Sequence, residues 1–243
     1  MTSSSHSGVE SAESRPVLVI MAKAPRPGAV KTRLAKSLSP DAVIAFYRCL
    51  LEDTLALAQS LQGVHLAIMC PKPDFEQLAE LVGGRAEVVP QKGEGLAAGL
   101  TSVFAHFAHN DQRRIVAFNS DSPHLPPSVL EAAFASLSKH DVVVGPTHDG
   151  GYYLVGAKNS HSALFAGDGM GTSSALDTLL SRARGLKLSV ARVEAFYDID
   201  VADDLTRLAE ELRLDPTRAP RTALWLQQWE RAAAQLRTGM RQS

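Results

Sequence analysis

The chain has 243 residues, of which 45% are hydrophobic and 21% charged, and a formal net charge of −1. That balance excludes a chain that is disordered over most of its length, a membrane-embedded chain, and a nucleic-acid binder that works through a broad basic surface; it leaves ample apolar residues for a core. The two cysteines, Cys49 in a helical pattern and Cys70 at the end of an apolar run, offer neither metal-ligand spacing nor a disulfide framework, and read as small buried hydrophobes in a reducing compartment.

Residues 1–16 are polar and Ser-rich and lack the basic start and apolar centre of a secretory signal, so they are expected to form a disordered tail. No apolar run reaches the length needed to cross a bilayer, and a soluble cytoplasmic protein is expected. Val17–Leu34, VLVIMAKAPRPGAVKTRL, begins as a buried strand and stops at a loop carrying Lys23, Arg26, Lys31 and Arg33 around Gly28. In an open α/β sheet the carboxyl end of a strand is where ligands bind. Four cations there suit an anion of several charges, such as a polyphosphate, and Lys31-Thr32-Arg33 is predicted to open a helix whose N-terminal dipole adds to the attraction. The nucleotide-binding pattern GxxxxGK[ST] is not met, because Gly28 is followed by Ala29 and Val30 before Lys31. The alternative is an ordinary βα loop whose cations are merely solvated.

Helical spacing of Val43, Phe46, Tyr47, Leu50, Leu51, Thr54 and Leu57 predicts a helix over residues 40–62, capped by Ser39 or Asp41. A second strand over 64–70, a short helix over 74–82 and a third strand over 86–90 continue a βαβ alternation, which argues for a mostly parallel sheet. The glycines Gly93, Gly95 and Gly99 follow the third strand and lead into a helix ending near His109. They permit close approach of backbone to a flat ligand such as a base, or form a plain turn. A fourth strand over 114–119 runs into Ser120-Asp121-Ser122-Pro123-His124-Leu125-Pro126. Asp121 is a candidate ligand for a hard divalent cation, or caps the helix predicted to start near Pro127.

A fifth strand over 141–146 and a sixth over 152–157 flank Thr147-His148-Asp149-Gly150-Gly151. This stretch is either hairpin turn chemistry or the acceptor side of a cleft lined by His148 and Asp149. A loop over 167–174 ends in an N-cap at Thr172 or Ser173 for a helix through about Arg184, followed by a strand over 186–193. Asp203 and Asp204 belong in the first turn of the next helix. Asp198 and Asp200 precede it, point the same way in an extended segment, and place one carboxylate within reach of a metal. Trp225, Trp229, Ala232 and Leu236 share one face of a C-terminal packing helix from about residue 219. No repeat or linker divides residues 17–243, so a single domain is expected.

Four stretches in order, MAKAPRPGAVKTRL, NSDSPHLP, GPTHDGGYYLVG and DIDVADDL, resemble the nucleotide-diphospho-sugar transferase superfamily of GT-A fold, which includes molybdenum-cofactor and 2-phospho-lactate guanylyltransferases. Within it the chain looks most like a bacterial glycosyltransferase-A-like transferase family associated with arsenosugar biosynthesis. The resemblance spans Val17 to about Leu205. It implies a three-layer α/β/α sandwich around a mostly parallel mixed sheet, with Mg²⁺ or Mn²⁺ as cofactor. It also implies a nucleoside triphosphate or nucleotide-sugar as donor and a small-molecule acceptor; the charge balance and the lack of a spanning apolar run leave no nucleic acid and no membrane as expected partner. Lys31 and Arg33 match residues that bind the triphosphate and stabilise departing pyrophosphate, Asp121 matches the metal-binding aspartate, and Asp198 or Asp200 matches a second, late carboxylate. Gly93 and Gly95 fall where relatives contact the base. Asn119 stands where the resemblance leads one to expect glycine, and His124 where an acidic residue is expected.

Nucleotidyl transfer to a small phosphorylated acceptor follows from the cationic loop, which is best used by a triphosphate. Glycosyl transfer follows from the family label, with Asp149 binding or deprotonating an acceptor hydroxyl. A third reading is a nucleotide-binding regulatory protein without catalysis.

Overall fold

The computed structural model describes residues 15–108, 114–167 and 173–240. The strands are β1 (Val17–Met21), β2 (His65–Cys70), β3 (Glu87–Pro90), β4 (Ile115–Asn119), β5 (Val142–Pro146), β6 (Tyr152–Ala157) and β7 (Val190–Arg192). The helices are α1 (Pro40–Gln59), α2 (Phe75–Val82), α3 (Gly95–Phe107), α4 (Pro127–Ser136), α5 (Ser162–Phe165), α6 (Ala175–Gly185), α7 (Ala202–Leu214) and α8 (Pro220–Met240). Residues 1–14 of the tail expected over 1–16, the loop residues 168–172 with Thr172, and the Leu236 side chain of the Trp stripe lie outside the described residues.

One seven-stranded sheet runs in the order β3-β2-β1-β4-β6-β5-β7. All neighbours are parallel except β6, which lies antiparallel between β4 and β5. Residues of β1 alternate between two cores as a strand's side chains must. Leu18 and Ile20 pack with Leu51 and Leu55 of α1, Leu78 of α2 and Leu130 of α4, whereas Val17 and Val19 pack with Val103 and Phe104 of α3 and Leu179 of α6. Helices on both faces explain why the strands read as unbroken apolar runs, and the result is a three-layer α/β/α arrangement around a mostly parallel mixed sheet.

A third apolar cluster stands beside the sheet. Val30, Leu34 and Leu38 of the cationic loop pack with Phe46 and Leu50 of α1, with Tyr197 and Ile199, with Leu205 and Leu208 of α7 and with Ala223 and Leu226 of α8. Trp225 and Trp229 pack against this cluster, with ring centroids 6.3 Å apart. Trp225 and Trp229 of the stripe are therefore packing residues, whereas Ala232 is exposed.

Ser39 caps α1, its hydroxyl accepting from the Ala42 N–H at 3.3 Å. The helix expected to open at Lys31-Thr32-Arg33 is absent. Lys31 has φ +48, in the left-handed region, and a single 3₁₀ turn at Leu34–Lys36 follows. A left-handed residue interrupts right-handed helix formation, so the helix dipole expected from Lys31-Thr32-Arg33 is not formed there. The strand expected over 186–193 is shortened to Val190–Arg192, because α6 ends at Gly185 and Lys187 also takes a positive φ of +57. No helix among the described residues is long and apolar enough to cross a membrane.

α8 is tied to α1 through Asp53, which is 1% exposed and accepts from the backbone N–H groups of Arg221 at 3.2 Å and Thr222 at 2.7 Å. These are N-terminal N–H groups with no partner inside the helix. Replacing Asp53 by Ala strands them and is expected to lower stability by about 1–3 kcal/mol, read as a lower urea midpoint at unchanged m-value.

Candidate active site

The parallel pairing of β1 with β4 sets Met21 opposite Asn119, so the loop after β1 and the turn after β4 leave adjacent strands side by side. The chain goes from β1 to β2 on one side and returns from β3 to β4 on the other, which makes this gap the point where strand order reverses and where such sheets bind ligands. A cleft of about 950 Å³ opens there, lined among others by Lys23, Lys31, Tyr47, Lys72, Asn119, Asp121, Tyr152, Asp198 and Asp200.

Lys31 Nζ lies 2.9 Å from Asp121 Oδ2 and 3.1 Å from Asp200 Oδ1, and its side chain is 3% exposed. Burial alone would lower the ammonium pKa; Asp121 and Asp200 override that and hold it above its ordinary value. Arg33, on the exposed rim, places Nη1 3.5 Å from Asp200 Oδ2. Asp200 is presented by the start of α7, where the Asp204 carboxylate accepts the N–H groups of Asp200 and Val201, each at 2.8 Å.

Asn119 joins the two carboxylate segments. Its Nδ2 donates to Asp198 Oδ1 at 2.6 Å and its Oδ1 accepts the Asp121 N–H at 3.3 Å. Asp198 is pushed up to about 6 by burial and then by the neighbouring Asp121 charge, against the opposing pull of Lys31 and Asn119. Asp121 does not cap α4, whose N-cap position is held by Pro126.

Tyr47 joins the other halves. Its hydroxyl donates to Lys23 O at 3.1 Å, accepts the Lys23 N–H at 3.2 Å and lies 3.0 Å from Ser120 Oγ. Burial, with the Asp121 charge second, pushes the phenol up to about 12. His124 is fully buried, with its ring centroid 4.8 Å from that of Tyr197. Desolvation, with Arg218 and Arg207 adding, drops its imidazole to about 3, so a neutral ring stands where an acid was expected.

Of the nucleotide-binding candidates, Lys23, Lys31, Gly93 and Gly95 line the cleft, and both glycines have φ +80. Gly28, at φ +74, turns the loop and is not among the lining residues. Arg26 pairs with Asp74, a buried residue that also accepts the Ala24 N–H at 3.0 Å, and so braces the loop from outside. Asp149 and His148 do not line the cleft either. The Asp149 carboxylate accepts from Thr147 Oγ1 at 2.5 Å and from the Gly151 N–H at 3.1 Å, bonds that close the β5–β6 turn and lower its pKa. Lys72 and Tyr152 were missed as lining residues, and Tyr47 read only as part of an apolar stripe. Asn119, two residues before Asp121, carried a signal in its position.

Asp121 and Asp200 already share one cationic nitrogen at about 3 Å. That donor set suits Mg²⁺ or Mn²⁺, which takes one or two carboxylates and completes its shell with phosphate oxygens and water. No group of three His, Cys, Asp or Glu gathers as an all-protein metal cage among the described residues.

The ionised form of Asp198 is disfavoured in the fold, a penalty fully present above its folded pKa of about 6 and gone below its ordinary value of 3.8. Asp198→Asn removes it. The metal-free variant is expected to be more stable than the parent by about 3 kcal/mol above pH 6, with the difference vanishing as the pH falls towards 4 in urea titrations.

The family profile described as "Uncharacterized protein conserved in bacteria (DUF2064)" matches residues 54–172, just under half of the chain. No curated protein matches the chain in sequence at a significant level. Among solved structures, a proposed nucleotide-diphospho-sugar transferase from Desulfovibrio desulfuricans G20 superposes with a TM-score of 0.80 at 26% identity, covering 90% of this chain and 97% of its own. The inositol-1-phosphate CTP transferase from T. maritima (TM-score 0.55, 15% identity, 82% and 95% covered) shares the fold. So does CMP:2-keto-3-deoxy-manno-octonic acid synthetase in complex with CTP (TM-score 0.54, 13% identity, 83% and 100% covered). The chain thus has the nucleotide-diphospho-sugar transferase-like fold, shared with nucleotidyltransferases.

Proposed function

We propose that the protein is a nucleotidyltransferase, dependent on Mg²⁺ or Mn²⁺, that transfers a nucleotide from a nucleoside triphosphate to a small phosphorylated acceptor. The observation that carries this reading is the meeting of Lys31 with Asp121 and Asp200, at 2.9 and 3.1 Å, on the sheet edge where β1 and β4 end. A cationic loop and acidic segments from two other parts of the chain converge there, the combination that a polyphosphate with a bound divalent cation requires. The nucleotidyltransferases of the same fold, one of them bound to CTP, support the reading.

In this reading the acceptor phosphate oxygen attacks the α-phosphorus of the donor, the bond to the bridging oxygen breaks, and pyrophosphate leaves with the electron pair. A bound divalent cation supplies charge neutralisation on the phosphate oxygens. Asp121 and Asp200 would hold that cation, with Asp198 beside them. Lys31 and Lys23 face the polyphosphate, and Arg33 approaches it from the rim. Gly93 and Gly95 leave room for the base. No side-chain nucleophile is needed, because positioning and fixed charge carry such transfers.

A second reading, glycosyl transfer from a nucleotide-sugar, draws on the proposed activity of the Desulfovibrio protein. It keeps the same cation site. Asp149 as its acceptor base would have to give up the bonds to Thr147 and Gly151.

Incubation with Mg²⁺, a panel of nucleoside triphosphates and sugar phosphates is expected to release pyrophosphate in a coupled phosphatase assay. Turnover of nucleotide-sugars alone would replace this reading with glycosyl transfer, and tight nucleotide binding without any product would favour a regulatory protein. Asp121→Ala is expected to lower turnover by about 10²-fold or more. A variant with undiminished rate removes Asp121 from the site.

A further inference from the structure

Lys31 is placed unlike a phosphate-binding residue waiting in solvent. Its side chain is 3% exposed, and its ammonium nitrogen sits on one oxygen of Asp121 and one of Asp200. A hard divalent cation that bridges the two carboxylates through those same oxygens would sit at about 2.0–2.1 Å from each, in the place of the nitrogen. The ammonium and such a cation cannot both bridge them, since like charges would face each other a few ångströms apart beside a lysine side chain that is only 3% exposed. The backbone strengthens the point, because Lys31 takes a left-handed φ of +48 that a β-carbon disfavours, while Val30 and Leu34 on either side are sunk in the third apolar cluster. The turn that results directs the side chain onto the carboxylates.

We propose that Lys31 is the resting occupant of the cation site, and that the site is loaded by exchange: Lys31 must leave Asp121 and Asp200 before a divalent cation can bind. This rests on the divalent-cation reading of the two carboxylates given above. A buried ammonium that leaves its carboxylates needs another anion, and Lys31 already lines the cleft. The phosphates of the donor supply that anion. Cation and polyphosphate binding are therefore coupled, each favouring the other through the position of one side chain, as linkage requires. Arg33 does not substitute for Lys31, since it touches only the outer oxygen of Asp200 at 3.5 Å and is 68% exposed.

The sign of the predicted effect is the reverse of what a simple cation-site accessory residue gives. Without nucleotide, Lys31→Met is expected to bind Mn²⁺ about tenfold or more tighter than the parent, because no competing state has to be emptied; the free ion is followed by electron paramagnetic resonance. Thermal denaturation with and without Mn²⁺ checks that the variant is folded, and the ion is expected to raise its midpoint more than the parent's. A second measurement needs no variant. In the metal-free parent, Lys31 is expected to resist an amine-acylating reagent relative to exposed Lys36, and saturating Mg²⁺ is expected to raise its labelling several-fold by peptide mass spectrometry. Equal or weaker Mn²⁺ binding by Lys31→Met, or labelling of Lys31 indifferent to Mg²⁺, overturns the exchange. Asp121→Asn separates the two levels of the argument. Mn²⁺ binding that ignores this substitution removes the cation site itself, whereas binding that needs Asp121 but is not improved by Lys31→Met removes only the exchange.

Discussion

The parallel pairing of β1 with β4 is the constraint on which the rest of the site depends. Because Met21 and Asn119 stand opposite each other at the ends of their strands, two segments nearly 100 residues apart in sequence leave the sheet a strand's width apart. Neither segment needs to be long or elaborately folded to meet the other. One carries cations and the other an aspartate, so the electrostatics of the cleft are decided at the level of sheet register. A slip of one residue would turn Leu18 and Ile20 into the wrong core. The hydrophobic pattern thereby guards the geometry of a polar site.

The second constraint lies outside the sheet. Asp198 and Asp200 follow β7 at the far edge, and nothing in the strand order alone returns them to the gap between β1 and β4. Tyr197 and Ile199, alternating with the two aspartates, are buried in the third apolar cluster together with Val30 and Leu34 of the cationic loop. Alternation in an extended segment turns the carboxylates towards the cleft while the apolar neighbours anchor them. The same cluster thus holds both partners of the Lys31–Asp200 pair, and burial of apolar surface positions the ion pair.

This division explains what could be read from the sequence. The strands were legible because helices cover both faces of the sheet, which makes each a short apolar run, and Asp121 was legible because it directly follows one. The left-handed turn at Lys31 was not, since nothing in KTR announces a positive φ and the residues suit a helix start. The antiparallel pairing of β5 with β6 is the hairpin that the Asp-Gly turn allowed, whereas the pairing of β6 with β4 is long-range and local pattern does not encode it. Asp149 drew notice because acid beside paired glycines serves equally in turns and in sites, and its bonds to Thr147 and Gly151 belong to the turn. Tyr47 escaped because its spacing places it in an apolar stripe, and nothing local announces that its hydroxyl bonds to the Lys23 backbone and Ser120.

α1 acts as a common axle. Tyr47 and Thr54 are seven residues apart, two turns of one helix face, and both grip the turn after β4. The Tyr47 hydroxyl lies against Ser120 Oγ and the Lys23 backbone, and Thr54 Oγ1 donates to Ser120 O at 3.2 Å. The intervening Asp53 holds the first N–H groups of α8. A rotation of α1 by a few degrees would move both walls of the cleft and the outer helix together. The turn that carries Asp121 and the first N–H groups of an exterior helix therefore rest on the same two turns of α1.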